Sequence, residues 1–307
     1  MLEQVREGGM LPPGAQLVAM LSGGRDSVCL VDLSVRLLGA GAVTALHVNY
    51  GLRDDSDRDE AHCKALCKRL DVRLEVEQPK RPEGPGNLQA WARDVRYAAA
   101  ARLALPADAL IATGHTADDQ VETILYRLAS SPSRRALLGM RPRDGKLVRP
   151  LLGFTREQTT SYCEARGLAW RDDPSNDQSS YARNRVRHGL AQAMAEVHPA
   201  AARNVLRTAE LLRDEAEVLD ALVSAELDGS NGSPRGTIEL DRFAQLPPAL
   251  RRLVVQRLAD RAAGRPVAGA ARHADEVAGL RGTGTAMLDL GGGVRAIAER
   301  GVLRAER

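Results

Sequence analysis

Four short apolar runs alternate with three longer amphipathic ones near the start of the chain, and this alternation is what most restricts the fold. Residues 16–21, 43–48, 72–76 and 109–113 have the length and composition of buried strands. Between them, 27–38, 57–70 and 87–105 repeat their apolar positions every three or four residues, as helices do. Strands joined through helices pair in parallel, which predicts an α/β domain on a doubly wound parallel sheet. Such sheets bind ligands beyond the carboxyl ends of their strands. The loops after Leu21, Val48 and Thr113 are therefore expected on one rim.

The strand pattern fades from about Thr155, and helical periodicity takes over after Leu190. Val205, Ala209, Leu212, Ala216, Leu219, Val223 and Leu227 trace one long amphipathic helix. A glycine- and serine-rich stretch at 229–236 reads as a turn or short linker, before a helix around 248–261 and a hairpin-like end at 287–297. With 307 residues there is enough chain for two cores. We expect domains at 1–190 and 191–307, the second smaller, mainly helical and joined through the long helix.

No apolar run approaches the ~20 residues of a membrane span, and the first ten residues lack the apolar stretch of a secretory signal. Together with four cysteines and no paired spacing among them, this makes the cytoplasm the expected compartment. Cys63 and Cys67 read as buried thiols rather than metal ligands. The net charge of +3 is too small to identify a nucleic-acid binder. Its distribution is more informative: Arg134, Arg135, Arg141, Arg143, Lys146 and Arg149 surround the single acid Asp144, and Arg183, Arg185 and Arg187 follow further on.

Ser22-Gly23-Gly24-Arg25-Asp26-Ser27 sits between the first apolar run and the first helix. A strand, a glycine turn and a helix start present backbone N–H groups to an anion, and glycine admits the anion without a side chain in the way. There is no Gly-x-x-x-x-Gly-Lys-Ser/Thr and no Gly-x-Gly-x-x-Gly, which excludes a Walker loop and a dinucleotide fingerprint. Alone, the hexapeptide is also compatible with an ordinary strand–helix turn capped by Asp26 or Ser27.

In its setting SGGRDS resembles the signature of the PP-loop ATP pyrophosphatases, whose loop holds the departing pyrophosphate. Further segments resemble the tRNA(Ile)-lysidine synthetases of that superfamily: HVNYGLR at 47–53, ARDVRY at 92–97, GHTADDQVET at 114–123, DDPSN at 172–176 and YARNRVR at 181–187. Position 50 is Tyr where those enzymes commonly carry His, and ASSPSRRALL at 129–138 replaces their usual glycine-containing loop. The resemblance covers nearly the whole chain, and implies the short form without a further C-terminal domain.

The resemblance implies an adenine-nucleotide α-hydrolase-like fold and an ATP- and Mg²⁺-dependent ligase. It would join L-lysine to C2 of the wobble cytidine of the isoleucine tRNA with a CAU anticodon, releasing AMP and pyrophosphate. Residues 22–27 would bind ATP, with Asp26 also at Mg²⁺. His115, Asp119, Glu122 and Arg96 would be catalytic, and Arg183, Arg185 and Arg187 would contact tRNA. Arg93 is the alternative to Arg96 as the contact to the phosphates or the adenylate. A lysine ammonium has a pKa near 10.4, so attack at neutral pH needs a base. Spacing alone leaves that base open among His115, Asp118 and Asp119. A helix starting near Ala117 would put Asp118, Asp119 and Glu122 on one face. A homodimer stays open, as do two other readings: a PP-loop enzyme of the 2-thiocytidine type, and a tRNA-binding module without activity.

Overall fold

The computed structural model describes residues 1–52, 55–82, 87–130, 134–171, 182–228, 234, 236–280 and 284–307, with the side chains of residues 135, 182 and 183 also left out. The chain forms two compact units, Met1–Glu210 and Leu211–Arg307. Their division falls inside the long helix, beyond the 190/191 boundary expected from periodicity.

After a short helix α1 (Leu2–Glu7), the first unit runs β1 (Leu17–Met20), α2 (Arg25–Leu38), β2 (Val43–Val48), α3 (Ser56–Leu70), β3 (Arg73–Glu77), α4 (Leu88–Ala104), β4 (Leu110–Ala112) and α5 (Ala117–Ser130). A short helix α6 (Arg134–Leu137) leads to the pair β5 (Arg143–Asp144) and β6 (Leu147–Val148). The unit then closes with α7 (Arg156–Ala165), α8 (Ala182–Arg185), a π-helical turn at Val186–Leu190, α9 (Ala191–Val197) and the start of α10 (Ala201–Leu227). The sheet order is β3-β2-β1-β4-β6-β5, parallel except for β5.

Successive residues of a strand face opposite sides, and β1 uses both. Leu17 and Ala19 join Val28, Leu30, Leu33, Cys63 and Leu66 of α2 and α3 in one core. Val18 and Met20 join Ala99, Ala100 and Ala104 of α4 in another. With β1 covered on both faces, the chain leaving Met20 can only emerge at the strand's carboxyl end, which places residues 22–27 on the rim. The expected strands and helices are thus present, with ends differing by one or two residues.

The second unit pairs helices with more sheet than the sequence pattern implied. The remainder of α10 precedes β7 (Ile238–Glu239), α11 (Leu240–Gln245), α12 (Pro248–Ala263), α13 (Ala274–Ala278), β8 (Thr285–Gly291), β9 (Val294–Glu299) and β10 (Val302–Glu306). Its strands form an antiparallel sheet ordered β7-β10-β9-β8. The hairpin read from 287–297 is the β8–β9 pair. β10 (VLRAE) and β7 escape detection because they are short and charged, and they pair only through tertiary context. Val254, Val255 and Leu258 of α12 pack with Ala296, Ala298 and Leu303 in the core of this unit. Among the described residues no helix is long and apolar enough to cross a membrane.

Candidate active site

The loop after β1 is held open by its own side chains. Gly23 takes φ +86°, which an L side chain rarely adopts, and Gly24 caps α2 in an extended conformation. The Ser27 hydroxyl donates to the Gly24 carbonyl at 2.7 Å and accepts the Ser22 N–H at 3.1 Å. The first helical bond is Val28 N–H to Gly24 O at 3.0 Å, so the N–H groups at the start of α2 have no acceptor within the helix. A turn of this kind is an anion cradle. The Asp26 carboxylate, at its mouth, accepts Thr159 Oγ1 at 2.5 Å and Arg25 Nε at 3.3 Å.

The loop after β4 lies directly against it. A Cβ on Gly114 would stand 2.9 Å from the Asp26 carbonyl oxygen, so Gly114 lets the two rim loops touch. From here the chain turns into α5 through a reciprocal cap: Thr116 N–H and hydroxyl donate to Asp119 Oδ2 at 2.8 and 3.1 Å, and the Asp119 N–H points back to the Thr116 hydroxyl at 3.5 Å. His115 Nδ1 is 2.7 Å from the Thr113 hydroxyl. Asp119 and Glu122 are buried, at 8% and 2% exposure.

Two buried carboxylates on one helical turn need counter-charge, and two arginines supply it. Arg156, the first residue of α7, reaches Asp119 Oδ1 at 2.8 Å and Glu122 Oε1 at 3.0 Å, while its backbone N–H donates to Asp118 Oδ2 at 2.8 Å. Burial draws the Arg156 guanidinium downward in pKa, and Asp119, Glu122 and Asp118 more than reverse this, leaving it raised. Arg187, on the π-helical turn, donates to Glu122 through Nε at 2.7 Å and Nη2 at 3.4 Å. The expected acids and His115 therefore come together beside the phosphate loop, and Arg187 joins them as a partner of Glu122. Arg185 is exposed at the end of α8. Arg53, the 172–176 segment, Tyr181 and the Arg183 side chain lie outside the described residues.

The third expected rim loop belongs to the same surroundings. Asn49 donates to Asp57 Oδ1 at 3.1 Å and Glu60 Oε2 at 2.9 Å, and its own oxygen accepts the Gly51 N–H. Hydrogen bonds from Lys64, Asn49 and Gln78 hold the Glu60 carboxyl down to about 2. Tyr50, the departure from the usual His, donates to the Ala92 carbonyl at 2.7 Å and meets Trp91 edge-on at 5.7 Å. It fastens the loop to α4, which carries Arg93 and Arg96. Burial raises the Tyr50 phenol and the nearby charge of Arg96 opposes it. Arg93 stacks over the Tyr97 ring at 4.7 Å.

Sequence reasoning missed Arg156 and Thr159. A signal for Arg156 was present: Thr155 and Gln158 form a capping box, which makes Arg156 the first helical residue. A cation is disfavoured at that position by the helix dipole unless an acid faces it. The four cysteines are buried free thiols. Among the described residues no group of three or more His, Cys, Asp or Glu side chains is arranged to hold a metal.

Sheet order, phosphate loop and rim define a nucleotide-binding domain of the PP-loop class, and residues 3–194 match the family model described as a PP-loop domain. The tRNA(Ile)-lysidine synthase of Thermus thermophilus is 40% identical over 84% of this chain and 51% of its own length. That of Salinispora arenicola is 38% identical over 95% of this chain and 91% of its own. The chain belongs to the PP-loop family and, within it, to the tRNA(Ile)-lysidine synthase family. It spans about half the length of the Thermus relative. In structure it resembles the U34-tRNA thiolase NcsA of Methanococcus maripaludis, with a TM-score of 0.58 at 17% identity over 69% of this chain and 77% of that one, a likeness of fold.

Proposed function

We propose that the chain ligates L-lysine to C2 of the wobble cytidine of the CAU-anticodon isoleucine tRNA, cleaving ATP to AMP and pyrophosphate. The supporting observation is the contact of Gly114 with Asp26, which brings a phosphate cradle and a buried acidic helix start to one rim. The choice of RNA and amino acid rests on the likeness to the tRNA(Ile)-lysidine synthase of Salinispora, matched along nine tenths of its length.

Residues 22–27 hold the ATP phosphates through backbone N–H groups, which stabilise charge developing on the departing pyrophosphate. Asp26 is the hard carboxylate at that mouth and fits Mg²⁺, which would neutralise phosphate charge there. Of Arg93 and Arg96, it is Arg96 that contacts the phosphates or the adenylate. Glu122 receives the lysine ammonium within the field of Arg156 and Arg187.

Proton removal from the amine falls to His115. Both Asp119 oxygens are engaged, by Thr116 and Arg156, so Asp119 positions the site. The Thr113 hydroxyl, 2.7 Å from Nδ1, holds the His115 ring at the start of the acidic helix, and a neutral imidazole can accept the amine proton through a ring nitrogen. Arg185, with Arg183, contacts the tRNA backbone.

Pyrophosphate release tests the whole reading. Over many turnovers it should require ATP, lysine and the isoleucine tRNA together, because a single equivalent can leave on adenylation alone and lysine is needed to displace AMP and free the enzyme. Multiple-turnover release indifferent to lysine would overturn the ligase assignment, and no release under any combination would favour an inactive RNA-binding module.

A further inference from the structure

We infer that Arg127 and Arg149, with Arg93 beside them, form an oxyanion site that takes a backbone phosphate of the RNA substrate. The inference rests on the RNA substrate proposed above, and concerns residues outside the motifs that carry the family resemblance, Arg93 excepted.

The site is built around the backbone of residues 139–142. Gln120, buried in α5, donates to the Met140 carbonyl at 2.9 Å and accepts the Met140 N–H at 2.6 Å. Two turns further along α5, Arg127 Nη1 donates to the Gly139 carbonyl at 2.7 Å. Arg149, just after β6, donates from Nη1 to the Arg141 carbonyl at 2.6 Å and from its backbone N–H to Pro142 O at 2.8 Å. A Cβ on Gly139, which has φ +62°, would stand 2.7 Å from the Gln120 amide, so this turn closes onto α5 only with glycine. Acceptors two residues apart thereby seat two guanidinium groups on one short segment.

Among the described residues Arg127, Arg149 and Arg93 pair with no carboxylate. Their contacts are backbone carbonyls and, for Arg93, the Tyr97 ring. Arg149 is 6% exposed and its Nε has no hydrogen-bond partner. Buried charges are ordinarily paired. Burial lowers the Arg127 guanidinium, and the charges of Arg149 and then Arg93 lower it further. Such an arrangement is relieved by an anion, and guanidinium forks match phosphate oxygens.

Position sets this site apart from the ATP cradle. Arg149 follows β6, two strands and so about 10 Å across the rim from β1, and Arg127 lies ten residues beyond Ala117, about 15 Å along the helix axis from the start of α5. A polyanion extending away from the reacting base reaches both places; a nucleotide seated at residues 22–27 occupies only the first.

The test is binding of a CAU-anticodon isoleucine tRNA transcript to the full chain between about 50 and 200 mM salt. Arg127→Gln should weaken binding severalfold at low salt and flatten the slope of log Kd against log salt by about one, and Arg127→Lys should restore the slope. Arg93→Gln, on an exposed position, should flatten it as well. The Michaelis constants for ATP and lysine should not move. Wild-type slopes in both Gln variants would overturn the inference, and so would a raised constant for ATP or lysine with the slope unchanged, since the anion would then be a nucleotide phosphate or a carboxylate. A wild-type chain that does not bind the transcript would instead defeat the RNA-substrate reading, and this inference with it.

Discussion

Gly114 packs against the carbonyl of Asp26 so closely that a methyl group there would stand 2.9 Å from the oxygen and 3.0 Å from its carbon. The phosphate loop and the acidic helix start are thereby fixed to each other through backbone, which yields little. Gly114→Ala should part the two loops and lower kcat/KM for ATP at least tenfold, with melting temperature reduced only modestly. Unchanged ATP kinetics would show that the contact is not needed for catalysis.

Arg156 is the cation shared by Asp119 and Glu122. Arg156→Met leaves two buried carboxylates short of a partner, a change that costs about 3–5 kcal/mol in comparable sites. Denaturant unfolding should show a loss of that order, and single-turnover ligation should fall by more than a hundredfold. Arg156→Lys should recover part of the stability and less of the activity, because an ammonium does not reproduce the two-pronged geometry. Wild-type stability in Arg156→Met would contradict the assigned role.

Arg187 donates to Glu122 through two nitrogens. A guanidinium engaged in this way acts inside the site, so Arg187→Ala should lower ligation at saturating tRNA at least tenfold while the salt slope of tRNA binding stays as in wild type. A slope flattened by about one would instead make Arg187 a phosphate contact.

Glu60 offers a pH signature. Its carboxyl is held to about 2 in the folded chain by Lys64, Asn49 and Gln78, below the ordinary glutamate value of about 4.3. Between those values the unfolded chain binds more protons than the folded one, so stability rises with pH across that window. The contribution is complete above about pH 5 and is lost as pH falls toward 2. Wild type should therefore melt above Glu60→Gln at pH 7, and the gap should close progressively below pH 5. A gap constant down to about pH 3.5 would show that the Glu60 charge is not what stabilises this loop.

The parts of the fold readable from sequence are those with strong local periodicity. The apolar runs ending at Leu21, Val48 and Thr113 gave the strands and so the rim, because a strand covered on both faces leaves no alternative pattern. β7 and β10 were not readable, since two and five residues with charges among them carry no period. In the site, Asp119, Glu122 and His115 were accessible through close spacing and family likeness. Thr159 was not: its partner Asp26 lies 133 positions away, and only the packing of α7 against α2 brings them together. Arg187 was seen as one of three neighbouring arginines, and the π-helical turn that directs it to Glu122 has no counterpart in the sequence pattern.

Lysine incorporation is the most direct measurement of the central claim. Radiolabelled lysine, ATP and the full chain are combined with unmodified transcripts of two tRNAs bearing the CAU anticodon, one for isoleucine and one for methionine. Stable label should appear in the isoleucine transcript, with AMP released in equal amount, and the methionine transcript should remain unlabelled. Label in neither transcript, with both shown to bind, would contradict the account.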